Sequence, residues 1–221
     1  MADEVVLLSF WCSPFCLRVR ISLAEKGITY EYKEEDLMGN KKSPLLLQVN
    51  PVHKKVPVLI YNGKPVCESL NIVEYIDQVW SDTSPLMPSD PYQRAQARFW
   101  ADYVDKKIDD SQSKLLLARK EEQEAAKKSF LDVLKLLEEQ LGDKTYFGGD
   151  KFDFGDIAFV PYYCCFKTYE TLGNFKMVEE CPKLIAWAKR CMEKESVSKC
   201  LPDPRTVYEL FVEVRKKFGV Q

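Results

Sequence analysis

Two short motifs in the chain place polar or nucleophilic side chains at the predicted beginning of a helix. Cys12, Ser13 and Pro14 form the first motif, with Pro14 at the first helical position. Glu68 and Ser69 form the second, where a predicted strand ends and the next helix begins. Free backbone N–H groups and the helix dipole favour negative charge at such positions. The first motif could therefore lower the pKa of a thiol, and the second could bind a carboxylate.

Each motif also has a purely structural explanation. A serine before Pro14 is a good helix cap, because its side-chain oxygen can accept a hydrogen bond from a backbone N–H of the first turn. Cys12 and Cys16 can act as small apolar fillers, which is the usual role of a free cysteine. Cys164 and Cys165 lie inside a helical pattern and are interpreted in the same way.

The composition is that of a globular chain that can bury a substantial core, with 221 residues of which 46% are apolar. The 32 Lys and Arg residues nearly balance the 34 Asp and Glu residues, so the net charge of -2 gives no field that would recruit a nucleic acid. A single histidine, His53, and the lack of any C-x-x-C pair leave few ligands for a structural zinc ion. We therefore expect neither a nucleic-acid partner nor a metal site.

The beginning of the chain bears on its location. M-A-D-E carries two acids where a signal peptide carries basic residues, and no apolar run approaches the roughly 18 residues needed to span a bilayer. We therefore expect a cytoplasmic protein without a membrane partner. Its eight cysteines are then expected to be reduced thiols.

Sequence patterns in the first part of the chain predict a small mixed sheet with helices. Residues 5–9 predict a buried strand, and residues 14–26 predict a helix that ends at Gly27. The alternation in I-T-Y-E-Y-K-E predicts a second strand, parallel to the first because a helix joins them. Asn62-Gly63 between two apolar runs predicts a β-hairpin, since both residues accept positive φ. With the helix that begins at Ser69, the predicted order is β-α-β, an irregular or helical stretch, then β-β-α.

The remainder of the chain is predicted to be helical. The segment 81–91 has three prolines in eleven residues and no periodicity, which predicts a linker. Beyond it we find only helical patterns, at about 91–118, 121–141, 153–172, 182–192 and 204–218. The predicted organisation is an α/β domain over residues 1–80, a linker over 81–91 and an all-helical domain over 92–221.

The strings W-C-S-P-F-C-L-R-V-R and V-P-V-L-I-Y-N-G-K-P-V-C-E-S, with the linker and the helices after it, resemble the cytosolic glutathione transferases, most closely the plant tau class. The resemblance runs over nearly the whole chain. It implies a thioredoxin-like first domain, an all-helical second domain and a homodimer. It also implies a cis peptide bond between Val56 and Pro57. Asp153-Phe154-Gly155-Asp156 resembles the family's helix-capping motif, with Asp153 in place of the usual hydroxyl residue.

The resemblance further implies that glutathione is the co-substrate and that no other cofactor is needed. Ser13 would donate a hydrogen bond to the glutathione sulfur and so stabilise a thiolate. The remaining glutathione contacts would be polar or backbone groups: Ser69 at the γ-glutamyl carboxylate, Glu68 on its amine side, the Val56 backbone at the cysteinyl part, and Lys55 with Lys42 at the glycyl carboxylate. Lys42 is preferred to Lys41 because it keeps the family's spacing to Lys55.

A pocket for the second substrate is predicted from position in the chain. It would be lined from the loop before the first helix and from the helical domain, by Phe15, Lys107, Ser111, Tyr163 and Phe211. Each aromatic residue in this set also fits the core, because aromatic side chains dominate protein interiors.

The predicted function is a transferase that activates the glutathione thiol as a thiolate and conjugates it to small apolar electrophiles, as in detoxification. One alternative is a carrier protein that uses the same pocket with little turnover. A second alternative is a thiol transferase acting through Cys12, since the cysteine-type branches of the superfamily carry a nucleophilic cysteine in place of Ser13.

Overall fold

The computed structural model describes residues 4–39 and 41–220. The chain divides into two compact units, Met1–Met87 and Pro88–Gln221, and the division falls inside the proline-containing segment 81–91. Asp3, one of the two acidic residues at the beginning of the sequence, lies outside the described residues.

A mixed four-stranded sheet lies at the centre of the first unit, with the strand order β2-β1-β3-β4. Strands β1 and β2 are parallel, whereas β1 pairs antiparallel with β3 and β3 antiparallel with β4. This arrangement confirms the predicted thioredoxin-like α/β fold. The elements are β1 (Val5–Ser9), α1 (Pro14–Glu25), β2 (Glu31–Glu34), α2 (Pro44–Val49), β3 (Val58–Tyr61), β4 (Lys64–Cys67) and α3 (Ser69–Val79).

Local sequence explains where several of these elements begin and end. The hairpin between β3 and β4 turns at Asn62 and Gly63, whose φ angles of 47° and 75° confirm the predicted turn. The stretch before β3 contains the short helix α2, because Pro44 occupies its first turn and the Ser43 hydroxyl accepts from the Leu46 N–H at 3.0 Å.

Strand β1 is central and buried on both faces. On one face Leu7 packs with Val19 of α1 and Leu59 of β3. On the other face Leu8 packs with Leu46 of α2. Successive residues of one strand therefore serve two separate apolar clusters, as the alternation of side chains in a strand requires.

A buried ion pair holds the segment after α3 against the first unit. The Lys26 Nζ lies 2.7 Å from Asp77 Oδ1 and also donates to the Ser84 carbonyl at 3.0 Å. The Asp77 carboxylate accepts in addition from the Leu86 and Met87 N–H groups, at 2.8 and 3.0 Å. These bonds explain why the first unit continues to Met87 although α3 ends at Val79.

Helices form the described part of the second unit, which confirms the predicted all-helical domain. Two of the predicted long helices are interrupted. A π-helical turn, Val104–Ile108, follows α4 (Pro91–Tyr103), and a 3-10 segment, Val160–Cys165, follows α7 (Phe154–Phe159). The second interruption contains Pro161, which has no N–H to continue an α-helix. The α-helices are α4 (Pro91–Tyr103), α5 (Asp109–Leu117), α6 (Gln123–Leu141), α7 (Phe154–Phe159), α8 (Phe166–Gly173), α9 (Met177–Glu180), α10 (Pro182–Met192), α11 (Glu195–Ser198) and α12 (Pro204–Lys217).

The buried start of α7 carries the capping motif expected from the sequence. The Asp153 carboxylate accepts from the Gly155 N–H at 2.9 Å, and the Asp156 carboxylate accepts from the Asp153 N–H at 3.0 Å. Asp156 is fully buried and also accepts from the indole N–H of Trp187 at 2.7 Å and from the Phe147 N–H at 3.0 Å. One carboxylate thereby joins α7, α10 and the segment before α7, and the predicted capping role of this motif is confirmed.

The burial of Asp156 predicts a pH-dependent stability. Desolvation, with the Asp153 charge acting in the same direction, raises the pKa of the Asp156 carboxyl to about 7, whereas an unfolded aspartate has a pKa of about 3.9. The native chain therefore binds more protons than the unfolded chain between about pH 4 and pH 7. The stability contributed by this proton uptake is complete below that range and is lost as the pH rises through about 7.

We expect Asp156→Asn to remove this slope from the free energy of unfolding, measured by urea denaturation at a series of pH values. Asp150→Asn is the matched control, because Asp150 is exposed and its substitution should leave the slope unchanged. Parallel pH dependences in the wild type and in Asp156→Asn would show that Asp156 does not carry the effect.

Candidate active site

Strand register brings the candidate residues of the first unit to one edge of the sheet. Leu8 of β1 pairs with Val58 of β3, and Val58 pairs with Cys67 of β4. The loop after β1, the loop before β3 and the loop after β4 therefore leave the sheet side by side. Since neighbouring strands lie about 4.8 Å apart, these loops begin within roughly 10 Å of one another.

Ser13 lies in the first of these loops and begins helix α1. It has the extended backbone of a capping residue, and its carbonyl accepts from the Leu17 N–H at 2.9 Å, but its hydroxyl makes no capping hydrogen bond. The side chain is half-buried. Side-chain capping therefore does not explain why a hydroxyl stands at this position. The hydroxyl hydrogen can rotate about the C–O bond and could donate to a ligand.

The two cysteines around Ser13 lie in the interior. Cys16 is fully buried and Cys12 is only 6% exposed. Burial raises the pKa of the Cys16 thiol, although hydrogen bonds from the Phe10 N–H and the Ser13 hydroxyl act in the opposite direction. This environment fits the packing interpretation of both cysteines.

Ser69 lies in the third loop, at the first position of α3, and is held by a buried arginine. Arg18 of α1 is fully buried, and its guanidinium donates to the Ser69 Oγ at 3.1 Å. The same guanidinium lies over the ring of Phe15, 5.1 Å from its centroid. Because a guanidinium can only donate, the Ser69 oxygen acts as acceptor here and its own O–H remains to donate elsewhere.

Glu68 precedes Ser69 and has an unusual backbone for a non-glycine residue, with φ 70° and ψ 118°. Its carboxylate is half-exposed, and the Nε2 atom of the His53 imidazole lies 3.9 Å from its Oε1 atom. The first backbone bond of α3 runs from the Ile72 N–H to the Glu68 carbonyl, so the N–H groups before Ile72 point out of the helix. Together these groups offer donors for a carboxylate beside an acceptor for an ammonium group.

The second loop carries Val56 and Pro57. The peptide bond between them is cis, which confirms the expectation from the family resemblance. Sheet pairing of β3 begins at Val58, so the backbone N–H and C=O of Val56 lie outside the ladder. They are placed where an extended peptide ligand could pair with them.

Two lysines meet near this loop. Lys42 and Lys55 are both exposed, and the Lys42 Nζ donates to the Lys54 carbonyl at 2.5 Å. The Lys55 carbonyl in turn accepts from the Asn50 side-chain amide at 3.0 Å. The structure thus brings Lys42 to the turn formed by Lys54 and Lys55, so the ammonium groups of three lysines belong to one short region.

Comparison with known proteins identifies the family. A model of the glutathione S-transferase N-terminal domain matches residues 3–78, and a model of the glutathione S-transferase C-terminal domain matches residues 87–195. The chain belongs to the glutathione S-transferase family. Its relatives among solved structures and curated proteins assign it to the tau class.

The similarity extends over the full chain. Glutathione S-transferase 3 of Glycine max is 61% identical over 216 residues, covering 98% of each chain, and glutathione S-transferase U19 of Arabidopsis thaliana is 59% identical over 218 residues, covering 99% of each. A rice glutathione S-transferase solved in complex with glutathione is 46% identical, with a TM-score of 0.95 and full coverage of both chains. A tau-class enzyme from mango is 40% identical, with a TM-score of 0.89, covering 96% of this chain and 98% of its own.

The residues predicted to contact an electrophile occupy diverse environments in this tau-class chain. Phe15, Tyr163 and Phe211 are half-buried, and Lys107 is exposed. Ser111 is 2% exposed, and its hydroxyl donates to the Lys107 and Ile108 carbonyls at 2.6 and 3.3 Å. The Ser111 hydroxyl is therefore committed to the backbone of its own helix.

Arg18 is the site residue that sequence reasoning missed. The only available signal was its position between the apolar residues Leu17 and Val19, five residues after Ser13. A charged side chain is seldom fully buried unless it is paired, so an inward arginine beside a candidate site is informative. The pattern alone does not reveal the partner, because Ser69 is 51 residues away.

Within residues 4–39 and 41–220, no group of three or more His, Cys, Asp and Glu side chains is arranged to hold a metal ion. The helices in the same ranges include none with the length and apolar character required to cross a membrane.

Proposed function

We propose that this chain activates the thiol of glutathione as a thiolate and conjugates it to small apolar electrophiles in the cytoplasm. The observation that carries the proposal is the Ser13 hydroxyl, which stands at the start of α1 without capping it. The relatives are named as transferases, which favours catalysis over the carrier alternative. The deep burial of Cys12 argues against thiol transfer through that residue.

The groups at the sheet edge match the parts of glutathione one by one. The γ-glutamyl carboxylate meets the Ser69 hydroxyl and the free N–H groups of α3, and the ammonium meets Glu68. The cysteinyl part pairs with the Val56 backbone as an added strand would. Lys42 and Lys55 neutralise the glycyl carboxylate. The tripeptide is thereby bound at both ends, which fixes its sulfur in between.

Ser13 then acts on the sulfur as a hydrogen-bond donor. Lowering a thiol pKa of about 8.5 by two units requires about 2.7 kcal/mol of preference for the thiolate. A hydrogen bond to a charged group supplies about 1.5–3 kcal/mol, and a helix N-terminus adds about 0.3–1 kcal/mol. The two effects together are of the required size, so the thiol can release its proton to water without a general base in the protein.

The chemical step follows from the thiolate. Its sulfur attacks an electrophilic carbon and forms a carbon–sulfur bond. In a substitution the electron pair departs with the leaving group, and in an addition it moves to the acceptor, which then takes a proton from water. The half-buried aromatic rings of Phe15, Tyr163 and Phe211 are the proposed contacts for an apolar electrophile, with the exposed Lys107 as a polar contact. The buried Ser111, whose hydroxyl donates to backbone carbonyls, is proposed only to support its own helix.

Replacement of Ser13 tests thiolate stabilisation. We expect Ser13→Ala to return the pKa of bound glutathione toward about 8.5 and to lower kcat by roughly 10- to 100-fold, the equivalent of a lost hydrogen bond to a charged group. The pKa is measured from the ultraviolet absorbance of the thiolate across pH. Ser9→Ala is the matched control, because Ser9 is a fully buried serine of β1 and should leave this pKa unchanged. An unshifted titration in Ser13→Ala would remove Ser13 from the mechanism.

A double-mutant cycle tests the pairing of Arg18 with Ser69. Ser69→Ala should weaken glutathione binding by about 1–3 kcal/mol, as measured by calorimetry. If Arg18 acts by orienting Ser69, then Arg18→Met also weakens binding, and the double variant is little worse than Ser69→Ala alone. Arg20→Met is the control, since Arg20 lies over the Tyr32 ring. Fully additive effects would mean that Arg18 does not act through Ser69.

We also propose that the chain forms a homodimer. Helix α4 exposes two aromatic side chains, Tyr92 at 71% and Phe99 at 59%, and their spacing of seven residues places them on one face. We expect a dimer in sedimentation at micromolar concentration and dissociation on Tyr92→Glu with Phe99→Glu. Val178→Glu is the control, because Val178 is a similarly exposed apolar residue of α9. A monomeric wild type, or dissociation only in the control, would contradict the proposal.

A further inference from the structure

A cavity in the helical unit is lined by residues that belong to none of the candidate active-site positions. Its volume is about 170 Å³. A protein cavity of about 150 Å³ accommodates benzene, so one aromatic ring fits here. The walls combine apolar and polar side chains, among them Trp100, Phe147, Lys144, Gln93, Gln96 and Gln140.

Lys144 is the charged group of this cavity that lacks a close counter-ion. Its side chain is half-buried, and its Nζ donates to the Phe147 carbonyl at 3.2 Å. No carboxylate in the described parts of the chain lies within 4.0 Å of that nitrogen. Burial lowers the pKa of Lys144, although the charges of Asp156 and Asp153 oppose this. An ammonium group has three donors, so two remain for a ligand.

Asp153 also lines the cavity, but its carboxylate accepts backbone N–H groups in the capping box of α7. One oxygen accepts from the Gly155 N–H at 2.9 Å and so caps α7. The other lies so close to Gly148 that a side chain at that position would meet it at 1.8 Å. The Asp153 carboxylate therefore serves the start of α7, whereas the Lys144 ammonium has donors left for a ligand.

The other walls favour a planar ring with a polar substituent. Trp100 is held in place by edge-to-face contacts with Phe99 and Tyr103, at centroid distances of 5.2 and 5.5 Å. Its indole and the Phe147 ring supply apolar surface. The side-chain amides of Gln93 and Gln96 make no hydrogen bond with any other residue in the described ranges, and each can donate or accept.

We propose that this cavity is a second ligand site that binds a small aromatic carboxylic acid with a single ring. The carboxylate pairs with the Lys144 ammonium, and the ring lies against Trp100 and Phe147. Every residue that lines the cavity belongs to the helical unit, and none of them is among the proposed glutathione contacts, so we expect the two ligands not to compete.

A calorimetric titration of the full chain with benzoate tests this site. We expect saturable binding with one site per chain and the same affinity in the presence of saturating glutathione. Lys144→Met should weaken benzoate binding by about tenfold or more, the equivalent of a lost charge-assisted hydrogen bond. Benzamide, which has the same ring without the charge, should bind more weakly by a similar factor.

Two further variants keep the test decisive. Lys144→Arg retains the positive charge and should retain most of the affinity for benzoate. This variant tests the role of the charge even if Lys144→Met fails to fold. Lys151→Met is the matched control, since Lys151 is an exposed lysine seven residues along the same segment and does not line the cavity. Absence of binding, displacement by glutathione, equal affinities for benzoate and benzamide, or equal losses in the Lys144 and Lys151 variants would each overturn the proposal.

Discussion

The register of strands β1, β3 and β4 is the constraint on which the candidate active site depends. Leu8, Val58 and Cys67 pair in a row, and three loops that are far apart in the sequence leave the sheet from this row. A slip of one residue in β3 would exchange its inward and outward side chains. Such a slip is opposed because Leu7 and Leu8 are both fully buried, in separate clusters on opposite faces. By fixing the strand register, the apolar core therefore also fixes the positions of the polar residues in the three loops at this edge of the sheet.

Helices α1 and α3 both begin at this edge, and Arg18 connects them. The buried guanidinium reaches from α1 to the first residue of α3, and the aromatic ring of Phe15 covers it. A buried cation is costly unless it is compensated, and a hydrogen bond with a cation–π contact provides part of that compensation. Two helix N-termini and one buried cation then give the same small region a positive potential. That potential suits a ligand with two carboxylates and a thiolate, and it exists before any ligand arrives.

The parts of the fold that follow from local chemistry were predictable from the sequence. Asn62-Gly63 specifies its hairpin, and Asp153 with Asp156 specifies the capping box, because the relevant bonds join residues that are close in the chain. The π-helical turn at Val104–Ile108 was not predicted, since the apolar pattern continues through it. The pairing of Arg18 with Ser69 was also missed, because it depends on the tertiary packing of α1 against α3. The Ser-Pro pattern predicts that the Ser13 side chain caps α1, yet the Ser13 hydroxyl makes no capping bond. The local sequence pattern alone could therefore not assign the role of this hydroxyl.

The chemistry of position 13 follows from the difference between oxygen and sulfur. A serine hydroxyl does not ionise near neutral pH, so Ser13 can only donate or accept a hydrogen bond. Burial raises the pKa of Cys16, and burial together with the charge of Glu68 raises the pKa of Cys67, which disfavours a thiolate on either residue. In the proposed mechanism the reactive sulfur belongs to the ligand. A cysteine at position 13 would become a second thiolate at the same helix N-terminus, and repulsion between like charges would disfavour a bound thiolate while favouring disulfide exchange. A hydroxyl in that place forms no anion of its own, so in the proposed mechanism the positive end of α1 stays available to the thiolate of the ligand.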